Sequence, residues 1–183
     1  MRGLVPTLAC ALALAGCNSD EPKSAAVSKQ SERRALAGAP PVLAAVHRQA
    51  NQLLGGEEDA FRARVRALRG HPIVVNKWAS WCPPCRAEFP FFQKLSRERG
   101  KEIAFLGIDS NDNDGNARKF LRDFPVSYPS YRDPRLAVAK EIEAVAAFPS
   151  TAFYDRRGKL SYVKQGGYAT EAKLAEDIER YAR

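Results

Sequence analysis

The chain has 183 residues, 45% apolar and 27% charged, with 29 Lys and Arg against 21 Asp and Glu for a net charge of +8. At about 150 residues per domain this is one domain with an appendage. The proportions exclude a polytopic membrane protein, a collagen-like chain and a wholly disordered one, and four cysteines are too few for a disulfide-stapled scaffold.

Arg2 precedes an apolar run over 4–15. The run is too short to span a bilayer and suits a signal peptide. It closes on Leu14-Ala15-Gly16-Cys17, similar to a bacterial lipobox, in which small residues let the backbone enter a peptidase. The expectation is a lipoprotein signal peptide over 1–16 with Cys17 as the lipidated N-terminus. An ordinary signal peptide or an uncleaved anchor is the competing reading. Cys10 leaves with the signal, so Cys82 and Cys85 are the free thiols of the mature chain. The expected location is extracytoplasmic, lipid-anchored to a bacterial membrane, where thiols oxidise unless something reduces them.

The stretch 17–41 is rich in Ser, Ala, Lys and Pro and reads as a flexible tether. A domain follows over 42–183, with its core from about residue 57. Residues 42–54 are helix-competent and end at Gly55-Gly56; 57–68 is a second helix with Phe61, Val65 and Leu68 on one stripe. After Gly70-His71-Pro72, the run 73–79 reads as a buried strand. A helix over 82–99, opened by two prolines and bent at Pro90, leads to a strand over 103–108 and a polar loop over 109–116. Helices over 117–124 and 135–145 flank an irregular stretch with a short extended piece near Tyr131. Strands over 151–154 and 160–164 are joined by the turn Asp155-Arg156-Arg157-Gly158, and Thr170 caps a last helix. This order predicts an α/β fold: a central mixed sheet with parallel pairs, helices on both faces and a closing antiparallel hairpin.

Trp81-Cys82-Pro83-Pro84-Cys85 follows a predicted buried strand and opens a helix. Unpaired N–H groups and the dipole at a helix N-terminus favour a thiolate, the attacking species in disulfide exchange. Two intervening residues let the second sulfur close on the first, and Pro83 suits the first turn because no N–H is lost there. Half of a zinc site would need two more ligands, and the chain offers only His47 and His71, both far upstream. A purely structural disulfide would close a short loop and restrain little. Copper(I) binding by two soft thiolates is a further alternative.

These residues resemble the thioredoxin superfamily, and within it the TlpA/ResA/CcmG-like extracytoplasmic branch. The likeness runs through Val74-Val75-Asn76-Lys77-Trp78-Ala79-Ser80-Trp81-Cys82-Pro83-Pro84-Cys85-Arg86-Ala87-Glu88-Phe89-Pro90, then Phe105-Leu106-Gly107-Ile108, then the stretch from Phe148-Pro149-Ser150-Thr151 to Gly158. It implies a thioredoxin-like fold and thiol–disulfide exchange with protein substrates. Cys82 is then the exposed nucleophile and Cys85 the resolving thiol. Pro149 matches the family's cis-proline, and Phe148 offers backbone to a substrate strand. Glu88 matches an acidic residue that moves a proton to or from Cys85. Trp81, Pro83 and Pro84 line the partner surface, whereas Trp78 belongs to the core. Asn76 stands where thioredoxin has a buried aspartate. Lys77 departs from the pattern: in a buried strand its ammonium must reach water or find a partner, and a solvent-reaching side chain is expected.

The resemblance implies no cofactor and no metal. It implies protein disulfide or dithiol partners and a membrane thiol donor, with reduction of apocytochrome c or copper-site proteins as the family-level function. A disulfide-forming oxidase and a copper-binding or docking module without turnover are the alternatives; a peroxidase would need its cysteine in a different setting. Arg33, Arg34, Arg62, Arg64, Arg66 and Arg69 form a basic set that, outside the cytoplasm, reads as a solvated face or a contact with anionic lipid rather than a nucleic-acid site. Asp109, Asp112 and Asp114 lack the closing glutamate of an EF-hand and read as a polar loop.

Overall fold

The structure, a computed structural model, describes residues 29–183. The expected signal peptide, Cys17 and the first part of the expected tether lie outside the described residues. From Lys29 the tether expectation gives way: α1 (Lys29–Ala35) and α2 (Pro41–His47) are helices, and Leu36, Leu43 and Val46 are buried in the protein. The folded unit therefore reaches upstream of residue 57. Its next element was missed: Leu53–Leu54, read as a helix end, is a short strand, β1, paired in parallel with Ser130 and Tyr131.

The remaining elements are α3 (Glu57–Ala67), β2 (Ile73–Trp78), α4 (Pro83–Arg99), β3 (Ala104–Ser110), α5 (Asp114–Asp123), β4 (Ser130–Asp133), α6 (Ala137–Glu141), β5 (Ser150–Tyr154), β6 (Leu160–Gln165) and α7 (Glu171–Tyr181). They build one six-stranded sheet in the order β1-β4-β3-β2-β5-β6. The first four strands of that order run parallel, and β5 and β6 add the antiparallel hairpin. Every residue of β2, β3 and β5 is buried, as strands covered on both faces require. Helices pack in two groups, α3 with α6 and α4 with α7 and α1.

Trp78 at the end of β2 ties the sheet to the helices. Its ring meets Phe89 of α4 edge-on and stacks on Phe120 of α5, and its Nε1 donates to Ser130 Oγ at 3.1 Å. Gly107 on the neighbouring strand leaves that bond its room, since a Cβ there would strike Ser130.

Two helices differ from expectation. α5 starts at Asp114 because the Asn113 side chain accepts from Asn116 N at 2.9 Å, a cap inside the expected polar loop. The helix expected over 135–145 shrinks to α6. The buried Asp133 carboxylate receives Val138 N and Ala139 N and sets its start. The helix stops where Glu143 takes a left-handed backbone (φ 57°), and beyond that turn the carbonyls of Ala144, Val145 and Ala147 bond to Lys77.

Candidate active site

Cys82 is the N-cap of α4, with extended backbone (φ −94°, ψ 105°), and its sulfur accepts from Cys85 N at 3.1 Å. Pro83 and Pro84 fill the first helical positions, where a missing N–H costs nothing. Cys82 and Cys85 are joined in a disulfide, with Cα atoms 5.3 Å apart. The exposed nucleophile expected from the sequence is a correction: Cys82 shows only 2% of its surface in this oxidised state, and Cys85 none. The surface around them is apolar. Trp81 is 52% exposed, and Pro83 and Pro84 are exposed beside it.

The loop before the disulfide is held from below. Trp81 Nε1 donates to Asn111 O at 2.9 Å, and Ser80 N donates to Asp112 Oδ2 at 2.5 Å. Both acceptors belong to the β3–α5 loop. Nearby Asp109 is buried, and that burial, with the charges of Asp112 and Asp114, pushes its carboxyl up to about 8.

The opposite flank is the segment before β5. The Phe148–Pro149 peptide is cis, as the resemblance implied. The Phe148 ring lies 4.8 Å from the Trp81 ring, so the residue before the proline touches the residue before Cys82. The two flanks meet because β2 and β5 are antiparallel neighbours, with Lys77 opposite Ser150. This bridges the C-terminal end of one strand to the N-terminal end of the other.

Glu88 lies fully buried on α4, three residues beyond Cys85. Its Oε2 accepts from Tyr168 N at 2.9 Å, while Oε1 has no hydrogen-bond partner among the described residues. Loss of hydration dominates and raises the carboxyl to about 8, although the Tyr168 N–H and the charge of Lys164 pull it down. Gly167 lies against both groups: a Cβ there would sit at ordinary contact distance, 3.4 Å from Pro149 Cγ and 3.5 Å from Glu88 Oε2. Sequence reasoning missed this β6–α7 loop. Its signal is Gly166-Gly167 after a strand, a turn marker, and Gly166 does take a left-handed backbone there (φ 81°).

Lys77 corrects the sequence expectation most sharply. It does not reach solvent; its exposure is 0%. Its Nζ donates to Ala144 O (2.5 Å), Ala147 O (2.9 Å) and Val145 O (3.3 Å), and stands 3.5 Å from the centroid of the Phe148 ring. Burial lowers the ammonium to about 8 against the opposing pull of Asp133. Asn76 is also fully buried, in register with Thr151.

A cysteine pair capping the helix after a central strand, with a cis-proline across from it, defines a thioredoxin-like protein. The chain belongs to the Redoxin family, whose pattern matches residues 52–178. It is 28% identical over 113 residues to the thiol-disulfide oxidoreductase ResA of Oceanobacillus iheyensis, covering 60% of this chain and 57% of that protein. It is 36% identical over 94 residues to the thiol:disulfide interchange protein DsbE of Pseudomonas fluorescens, covering 51% of each. The chain thus spans between half and about two thirds of the curated relatives it matches. Among solved structures, MTB dsbF matches with a TM-score of 0.58 and 26% identity, over 63% of this chain and 84% of that one. A DsbE-type protein of Chlorobium tepidum matches with a TM-score of 0.56 and 25% identity, over 61% and 80%. No helix among the described residues is long and apolar enough to cross a membrane.

Proposed function

We propose that the chain is an extracytoplasmic thiol–disulfide oxidoreductase, anchored through lipid on Cys17, that reduces disulfides of other proteins through Cys82 and Cys85. The observation that carries it is the Cys82–Cys85 pair at the N-cap of α4, with Cys85 N donating to the Cys82 sulfur. The same N–H and helix terminus favour the Cys82 thiolate once the pair is reduced. The names of the ResA and DsbE relatives support the same chemistry. Apocytochrome c and copper-site proteins are the substrate classes we favour.

The thiolate of Cys82 attacks one sulfur of the substrate disulfide. That bond breaks, a mixed disulfide forms, and the leaving thiolate takes a proton. Cys85 then gives its proton to water, or above about pH 8 to the Glu88 carboxylate, and attacks the Cys82 sulfur; the second substrate sulfur leaves as a thiolate and takes a proton. Two electrons pass to the substrate, and Cys82–Cys85 is left oxidised. A membrane dithiol donor restores the pair. Trp81, Pro83, Pro84 and Phe148 supply the contact surface, and cis-Pro149 keeps the approach open because it brings no N–H.

The test is the equilibrium reduction potential in graded thiol/disulfide buffers, with insulin reduction by the dithiol form. A potential near thioredoxin's, about −270 mV or lower, together with insulin reduction, is expected. A value near that of a strong oxidant, about −120 mV, overturns the reductive direction and leaves a disulfide donor.

A further inference from the structure

Lys77 sits on a central strand of the sheet, yet no carboxylate among the described residues is bonded to it. Its three N–H donors each meet one main-chain carbonyl, those of Ala144, Val145 and Ala147, and a ring face closes the shell. Asp133 on β4 is the charged group that acts on it; its register partners, Ile108 on β3 and Ser150 on β5, are uncharged. An apolar side chain would fill the same volume at far less desolvation and leave the carbonyls without a donor.

Those carbonyls belong to a segment with little other support. Residues 143–148 form neither helix nor strand. Their other hydrogen bonds among the described residues are Gln165 Nε2 to Glu143 O, Ser150 Oγ to Ala147 O, Glu143 N to Lys140 O and Ala144 N to Ala139 O, and of their side chains Ala144 is buried. Yet the segment carries Phe148, whose ring touches Trp81, and it presents Val145 (45% exposed) and Ala146 to solvent three and two residues before Phe148. Ammonium, Phe148 and Trp81 form one stack from the sheet interior to the residue before Cys82.

We infer that Lys77 is a positioning residue for substrate recognition: it holds residues 144–148 so that Phe148 stays against Trp81, and the exposed Val145 and Ala146 just before Phe148 receive apolar residues flanking the substrate's disulfide. This rests on the oxidoreductase reading. Lys77 touches no reacting atom; it acts through the carbonyls it gathers and through Phe148.

Lys77→Met keeps the stem and removes the donors, and Lys77→Arg restores donors. Amide hydrogen exchange by mass spectrometry is expected to quicken at least tenfold over 143–149 in the Met variant, with α2 and β3 unchanged, and to return toward wild type in the Arg variant. In dithiothreitol-driven turnover, the half-saturating insulin concentration is expected to rise about tenfold. The limiting rate and the rate with glutathione disulfide should fall less than twofold. Unchanged exchange over 143–149 overturns the positioning role. Loosened exchange with unchanged half-saturation, or an equal loss on both substrates, overturns the recognition role. If Lys77→Met does not fold, Lys77→Gln, with two N–H donors on a shorter arm, is expected to show the same effects at intermediate size. If wild type reduces no disulfide, the oxidoreductase reading fails, while the exchange data still judge Lys77 separately.

Discussion

Replacing Glu88 by Gln should make the oxidised protein more stable, and increasingly so as the pH rises. The folded protein keeps the Glu88 proton up to about pH 8, whereas the ordinary value of 4.5 governs the unfolded chain. A carboxyl raised on folding contributes its full share of stability below about pH 4.5 and loses it as pH climbs through about 8. At about 1.4 kcal/mol per pH unit, holding that proton costs about 3 kcal/mol at pH 7 and approaches 5 kcal/mol by pH 9. Gln keeps a carbonyl for the Tyr168 N–H and carries no titratable proton. The buried Asp109, raised in the same direction, is common to both proteins and cancels in the difference. Urea unfolding of the disulfide-intact pair at pH 5, 7 and 9 measures the effect. Near-equal stability at pH 5, with Gln ahead by about 3 kcal/mol at pH 7 and further ahead at pH 9, is expected. Two pH–stability curves that run parallel would refute the burial argument.

Further outcomes follow from the same geometry. Cys85→Ser should accumulate a mixed disulfide with substrate, seen on non-reducing gels, and Cys82→Ser should give none; trapping through Cys85 in the absence of Cys82 would reverse the assigned roles. Gly107→Ala should cost about 2–4 kcal/mol in denaturant unfolding, because the new methyl strikes Ser130 and displaces the Trp78 indole bond. Asp133→Ala should cost about 2–3 kcal/mol and loosen the α6 amides in hydrogen exchange, since one carboxylate serves Val138 N, Ala139 N and Ser110 Oγ. Cys17→Ser should release the protein from the membrane fraction and abolish fatty-acid labelling; persistence at the membrane would speak for an uncleaved anchor.

The parts of the fold that local chemistry dictates were legible in the chain. The apolar runs that became β2 and β3, the turn at Asp155–Gly158 and the proline-opened helix after Trp81 each carry their signal within a few residues. What escaped depends on distant partners. Leu53 and Leu54 are a strand only because β4 offers an edge, and nothing in their neighbours forbids a helix. Helix α6 ends before a left-handed Glu143, and the chain beyond it is gathered by a lysine far upstream in sequence. Glu88 could be placed beside the cysteines by spacing, but its burial required the Gly167–Tyr168 loop to fold over it. Lys77 was visible as an anomaly without being readable, because its partners are main-chain carbonyls, which no side-chain pattern announces.

The antiparallel pairing of β2 with β5 carries a consequence for how this chain tolerates change in length. A single residue inserted inside either strand is not absorbed, because it turns the following side chains to the other face of the sheet. Lys77 would then point away from the carbonyls it gathers, and Phe148 would part from Trp81. Variation among related chains should therefore collect outside the Lys77–Ser150 pairing, and length changes inside it should be purged.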